Sequence, residues 1–245
     1  MQLKKIHIIL LLISLHVWAF VKESPKKEYD TPRILTYEVN PKTDQIRFYW
    51  KNEQGDIYGN AKNLKNQLKE KGETLVFAMN GGMYLKDQSP QGLYVEDGRI
   101  ITPEDSKKEG YGNFYLQPNG VFYINKYNKA IICVSDSLKA TRSIKYATQS
   151  GPMLVIDGQL HEKFTKGSKN LHIRNGVGVL PNGNLLFAMS KEKINFYDFA
   201  TFFKENGCQN ALYLDGFVSR TYLPSKGYEQ LDGNFGVMIG VTKNN

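Results

Sequence analysis

The sequence predicts an α+β domain, a mixed, mostly antiparallel β-sheet with a few packed helices. Three observations carry that expectation. Short β-favouring runs recur along the chain, separated by Asp-Gly and Asn-Gly pairs whose central positions accept positive φ. Two segments, 60–71 and 197–205, space their apolar residues for a helix. No fixed-period repeat or regular strand–helix alternation runs through the 245 residues, which argues against a solenoid or a doubly wound sheet.

Residues 1–19 read as an export signal. Lys4 and Lys5 are a positive n-region, 6–17 is an apolar h-region, and Val17-Trp18-Ala19 resembles a cleavage site. The alternative is an uncleaved anchor, which would be the chain's one membrane contact, because no later segment approaches the length of a span. The charged, proline-containing stretch 20–33 fits a tether, and 34–245 is the expected domain, in a periplasmic, secreted or cell-surface setting. Runs 34–39 and 46–50 flank the turn Asn40-Pro41-Lys42-Thr43-Asp44 and read as a hairpin. A helix over 60–71, with Ala61, Leu64 and Leu68 on one face and Gly72 as its stop, feeds a strand at 74–79. Strands follow at 92–95, 119–124, 130–134 and 153–156. A hairpin joins 177–180 to 185–189 through Pro181-Asn182-Gly183-Asn184. The second helix carries Phe199, Phe202 and Phe203, ends before Gly207, and leads into a strand at 211–214.

Hydrophobic content of 41% and aromatic content of 12%, with 15 Tyr and 13 Phe, are enough for a sizeable core. The formal charge of +8 falls to about +6 without Lys4 and Lys5, a balance that suits an anionic substrate or the cell envelope. Nucleic acid is not an expected partner, because there is no dense basic stripe or nucleic-acid motif. Cys133 and Cys208 are open to two readings, a disulfide or two buried thiols.

Phosphate-loop, nucleophile-elbow and His-Glu-x-x-His signatures are absent, and Gly176-Val177-Gly178 fails as a dinucleotide fingerprint because Pro181 takes the third glycine position. What remains is a set of amides, hydroxyls, one arginine and one carboxylate among glycines. Asp215 ends the apolar run Ala211-Leu212-Tyr213-Leu214 and precedes Gly216. It can ligate a cation, act as an acid or base, or cap a turn. Arg174 can grip a phosphate through two parallel hydrogen bonds or form an ion pair, and N–H groups at Gly81, Gly82 and Gly151 can complete an anion cradle. His161 and His172 can transfer protons or be structural, and their spacing supplies no zinc site.

Asn80-Gly81-Gly82-Met83-Tyr84, Pro118-Asn119-Gly120, Gln149-Ser150-Gly151-Pro152-Met153-Leu154, Arg174-Asn175-Gly176-Val177-Gly178 and Leu214-Asp215-Gly216-Phe217-Val218-Ser219 occur in one order. As a set they resemble the phosphodiester glycosidase family, over about 34–242. Phe217 and Val218 stand where the commoner pattern has two glycines, which is closer to a bacterial exported branch. The resemblance implies hydrolysis of a sugar-1-phosphodiester to free sugar and a phosphomonoester. Asp215 and Arg174 would be catalytic, and Asn80, Gly81, Gly82, Ser150, Gly151 and Ser219 would bind substrate. Asp215 would be the residue for a divalent cation, Ca2+ or Mg2+, if one takes part. A binding module for an anionic envelope glycan is the competing reading.

Overall fold

A computed structural model describes residues 28–138, 143–216 and 218–244; the expected signal and most of the tether lie outside them. The chain runs β1 (Ile34–Val39), β2 (Gln45–Tyr49), α1 (Ala61–Glu70), β3 (Glu73–Asn80), β4 (Tyr94–Glu96), β5 (Arg99–Thr102), β6 (Gly120–Asn125), β7 (Ala130–Val134), β8 (Ile144–Ser150) and β9 (Met153–Ile156). It continues through β10 (Gln159–Leu160), β11 (Asn175–Val179), β12 (Leu185–Ser190), α2 (Phe196–Glu205), β13 (Ala211–Asp215), β14 (Thr221–Leu223), β15 (Tyr228–Glu229) and β16 (Met238–Asn244).

These strands form three sheets, in the orders β1-β12-β11-β13-β9-β10, β15-β14-β3-β16-β2 and β5-β4-β8-β6-β7. The α+β expectation holds, and the pairings among the described strands are antiparallel. The sheets meet in a shared core where phenyl rings from all three touch. Phe77 lies 5.2 Å from Phe187, Phe48 5.3 Å from Phe122, and Phe122 6.1 Å from Phe187, centroid to centroid. Such tilted contacts each add a little to the large apolar area these rings bury.

The expected hairpin of β1 with β2 does not form. β1 pairs with β12 and β2 with β16, so the turn at 40–44 carries the chain from one sheet to another. Leu35 and Val39 on β1, and Ile46 and Phe48 on β2, all enter the same core from different layers. A turn signal fixes where a chain reverses but leaves the ladder partner to packing. The hairpin β11–β12 forms as read, and two more form, β4–β5 through Asp97 (φ 46°) and Gly98 (φ 77°), and β6–β7. Asn119-Gly120 is no turn; Gly120 opens β6.

Both helices are capped as their sequences prescribe. The Asn60 and Asn195 side chains accept from the amides of Asn63 and Asp198, at 2.9 and 2.8 Å. Gly72 (φ 76°) and Gly207 (φ 82°) follow the C-termini in the left-handed conformation. α1 buries Ala61, Leu64 and Leu68, whereas α2 buries five residues, Phe199 and Phe203 completely, over the outer face of the first sheet. Cys133 and Cys208 are free thiols, and burial pushes Cys208 up to about 12. A thiol so reluctant to ionise is inert as a nucleophile. No helix among the described residues is long and apolar enough to cross a membrane.

Candidate functional site

The end of β13 lies where the three sheets converge, and buried side-chain amides and hydroxyls hold it there. A bulge between Asn175 and Gly176 sets Asn175 opposite Asp215 and Gly176 opposite Tyr213, a device that re-aims a side chain at a strand end. The Asn175 side chain then links two sheets. Its Oδ1 accepts the Asp215 amide at 2.8 Å, and its Nδ2 donates to both the carbonyl and the Oδ1 of Asn80, each at 2.9 Å. Asn80 Oδ1 also accepts the Arg220 amide at 2.9 Å. Ser150 Oγ donates to the Leu214 carbonyl at 2.7 Å, tying β8 to β13, and Ser219 Oγ donates to the Asp215 carbonyl at 2.7 Å.

The motif glycines serve close approach rather than turning. Gly216 is not in the left-handed region; a Cβ there would stand 1.5 Å from the Tyr213 hydroxyl. At Gly82 it would meet Thr148 Oγ1 at 2.3 Å, and at Gly151 the Asn119 Cβ at 2.8 Å. The Gly81 amide is taken up within the fold rather than offered to the expected anion cradle. It donates to the Val237 carbonyl at 2.8 Å, and Gly81, Gly82 and Gly151 are all buried.

Arg174 is sealed behind the site, 0% exposed, rather than projecting into it. Its Nε donates to the Ile194 carbonyl (2.9 Å), Nη1 to the Tyr213 hydroxyl (3.3 Å), and Nη2 to the carbonyl and Oδ1 of Asn170 (2.9 and 2.8 Å). The guanidinium lies 3.5 Å over the Phe196 ring, a contact strengthened by exclusion of water. With four donations to protein oxygens and no exposure, it does not supply the phosphate grip expected of it. It reaches the site through Tyr213. Burial raises the Tyr213 phenol, Arg174 opposes that rise, Asp215 adds to it, and Asn113 also hydrogen-bonds the phenol.

Asp215, 8% exposed, is the predicted residue that lines a cavity of about 430 Å3. That volume is within the range of small-molecule sites. Tyr84, Lys86, Asn113 and Gln91 share its wall. Tyr84 is raised first by burial and then by the Asp215 charge, which places its phenol in the field of the carboxylate. Lys86 is the one cation among the described lining residues, and it is exposed at the rim. Sequence reasoning passed over these residues. Tyr84 stands inside a quoted motif, but Lys86 lies two residues past it, and Gln91 and Asn113 carry no local signal.

His161 is buried and stacked on Phe164, 4.7 Å between centroids, with no hydrogen-bond partner for Nε2 among the described residues. Burial pulls its pKa down. His172 is exposed whereas Arg174 is buried, and neither histidine lines the cavity. For a divalent cation, Asp215 is the one carboxylate on this wall, and no group of three or more His, Cys, Asp or Glu gathers among the described residues. A hard cation here would hang on Asp215 plus neutral oxygens, water and substrate phosphate, a donor set suited to Mg2+ more than to a caged Ca2+.

The sequence model of the phosphodiester glycosidase family matches residues 73–241, from the start of β3 into β16. The chain belongs to the phosphodiester glycosidase family. It is 33% identical over 244 residues to the uncharacterized protein YigE of Escherichia coli K12, covering 99% of this chain and 94% of that one. Among solved structures, the catalytic domain of zebrafish N-acetylglucosamine-1-phosphodiester alpha-N-acetylglucosaminidase, auto-inhibited by its pro-peptide, shares the fold. Its TM-score is 0.58 at 14% identity, covering 85% of this chain and 81% of that one. A hypothetical protein from Synechocystis superposes with TM-score 0.52 at 16% identity, over 85% of this chain and 59% of that one. The family's motifs here converge on one strand end, and Asp215, Met83, Tyr84 and Val218 are their members that line the cavity.

Proposed function

We propose that this protein is an exported hydrolase that cleaves the bond between the anomeric carbon and the phosphate of a sugar-1-phosphodiester, releasing free sugar and a phosphomonoester. The observation that carries the reading is the placement of Asp215, a carboxylate held through its own backbone on both sides and presented to a cavity with a single cation at the rim. A phosphodiester carries one negative charge, which Lys86 can neutralise. Phosphate leaves an anomeric carbon with less proton donation than an alkoxide needs. The positive charge left on the sugar ring then faces Asp215. Tyr84, with its phenol kept protonated, is a hydrogen-bond donor beside that carboxylate, and Asn113 and Gln91 are suited to sugar hydroxyls. Export rests on the residue pattern at 1–19, and recovery of a processed chain outside the cytoplasm tests it.

Incubating the purified chain with an N-acetylglucosamine-1-phosphodiester, and following phosphorus resonances and free reducing sugar together, tests the activity. The hydrolase reading expects both products in equal amounts. Saturable binding without release would instead establish a non-catalytic module for anionic envelope glycans.

A further inference from the structure

The cavity beside Asp215 combines a few polar groups with an apolar lining that reaches its exposed mouth. Asp215 is buried, and Asn113, Gln91 and Tyr84 are half-buried. At the rim stand Leu85, 51% exposed, and Tyr111, fully exposed, beside Lys86, which is exposed in the same wall. Large apolar side chains left in water at one cavity mouth mark a binding surface more than isolated ones do. Met83, Phe114 and Val218 continue the apolar lining inward.

We propose that the substrate's second alcohol is hydrophobic, so that the ligand is a sugar monophosphodiester of an alkyl, acyl-bearing or aryl alcohol rather than a nucleotide sugar or a diester between two sugars. This rests on the hydrolase reading for its chemistry but on the wall composition for its choice of ligand. A sugar needs hydrogen-bonding partners around its ring edge, and the half-buried amides near Asp215 supply them. With the sugar beside Asp215 and its phosphate at Lys86, the remaining substituent passes over Leu85 and Tyr111, which offer few hydrogen bonds and much apolar area. A second sugar there would leave its hydroxyls without partners, and a diphosphate would bring two charges to a wall with one cation.

The test compares the octyl and glyceryl diesters of N-acetylglucosamine 1-phosphate, on the wild type and on the double variant Leu85→Ser/Tyr111→Ser. Because both side chains are exposed, the double variant leaves the core untouched. For two or three buried methylenes the wild type should favour the octyl diester by at least about 10-fold in kcat/KM, and the double variant by no more than about 3-fold. Equal kcat/KM for the two diesters, or a preference that survives the double substitution, overturns the proposal. Calorimetry with octyl phosphate and glycerol phosphate separates this from the hydrolase reading. If neither diester is cleaved, that reading fails. About 10-fold tighter binding of octyl phosphate that is lost in the double variant still supports the apolar mouth, and equal affinities overturn it.

Discussion

Replacing Asn175 by leucine, close in size and unable to hydrogen-bond, tests how the cavity carboxylate is held. Three hydrogen bonds disappear, two from Nδ2 to Asn80 and one accepted from the Asp215 amide. Asn80 Oδ1 keeps the Arg220 amide, so the group left stranded is the Asp215 N–H, on a residue only 8% exposed. Stranding a buried donor costs about 1–3 kcal/mol, and each of the other two bonds contributes about 0.5–1.5 kcal/mol. Allowing for the apolar gain of leucine, the loss is about 2–5 kcal/mol, or a fall in Tm of about 5–15 °C for a domain of this size. Thermal unfolding by circular dichroism gives Tm, and turnover at a temperature where both proteins are folded isolates the effect on Asp215. A Tm within about 2 °C of wild type together with unchanged kcat would refute the claim that this amide positions the site.

Lys86→Ala removes the rim cation and should lower kcat/KM for a sugar phosphodiester by about 10–100-fold with Tm unchanged; a change under 2-fold would remove Lys86 from the site. Asp215→Asn should lower kcat by about 100–10,000-fold while ligand binding persists, whereas unimpaired turnover would exclude this carboxylate from the chemistry. His161 gives a pH signature in stability. Burial sets its folded pKa below that of the unfolded chain, so the unfolded state takes up the proton more readily. Its contribution is complete above about pH 6.5 and is lost as pH falls below that value. His161→Leu should flatten Tm between pH 6.5 and 5, and an identical slope in both proteins would contradict it.

The elements were legible where local chemistry decides them. The helices at Ala61–Glu70 and Phe196–Glu205 follow from apolar spacing and a terminating glycine. β8 and β16 were not legible. In β8, Thr148, Gln149 and Ser150 are polar yet buried, because Gln149 bonds the amides of Leu93 and Asp105 and Ser150 bonds Leu214. Such residues read as a loop until their distant partners are known. The same long-range bonding explains the site. The motif residues Asn80, Ser150, Asn175 and Ser219 gather around one strand end, but as its supports. Arg174 reads as a ligand grip because arginine is seldom fully buried without a carboxylate. Here carbonyls, an amide, a phenol and the Phe196 ring satisfy it instead. The cavity wall around Lys86 and Asn113 comes from loops whose approach to Asp215 is set by the tertiary fold.

The bond that breaks is the most direct measure of the account. Hydrolysis of a sugar-1-phosphodiester in 18O-enriched water, followed by mass analysis of the phosphomonoester, distinguishes attack at the anomeric carbon from attack at phosphorus. Chemistry at Asp215 on the sugar predicts a phosphomonoester free of label. Label in the phosphate would show phosphorus–oxygen cleavage and contradict the assignment of this cavity as a glycosidase site.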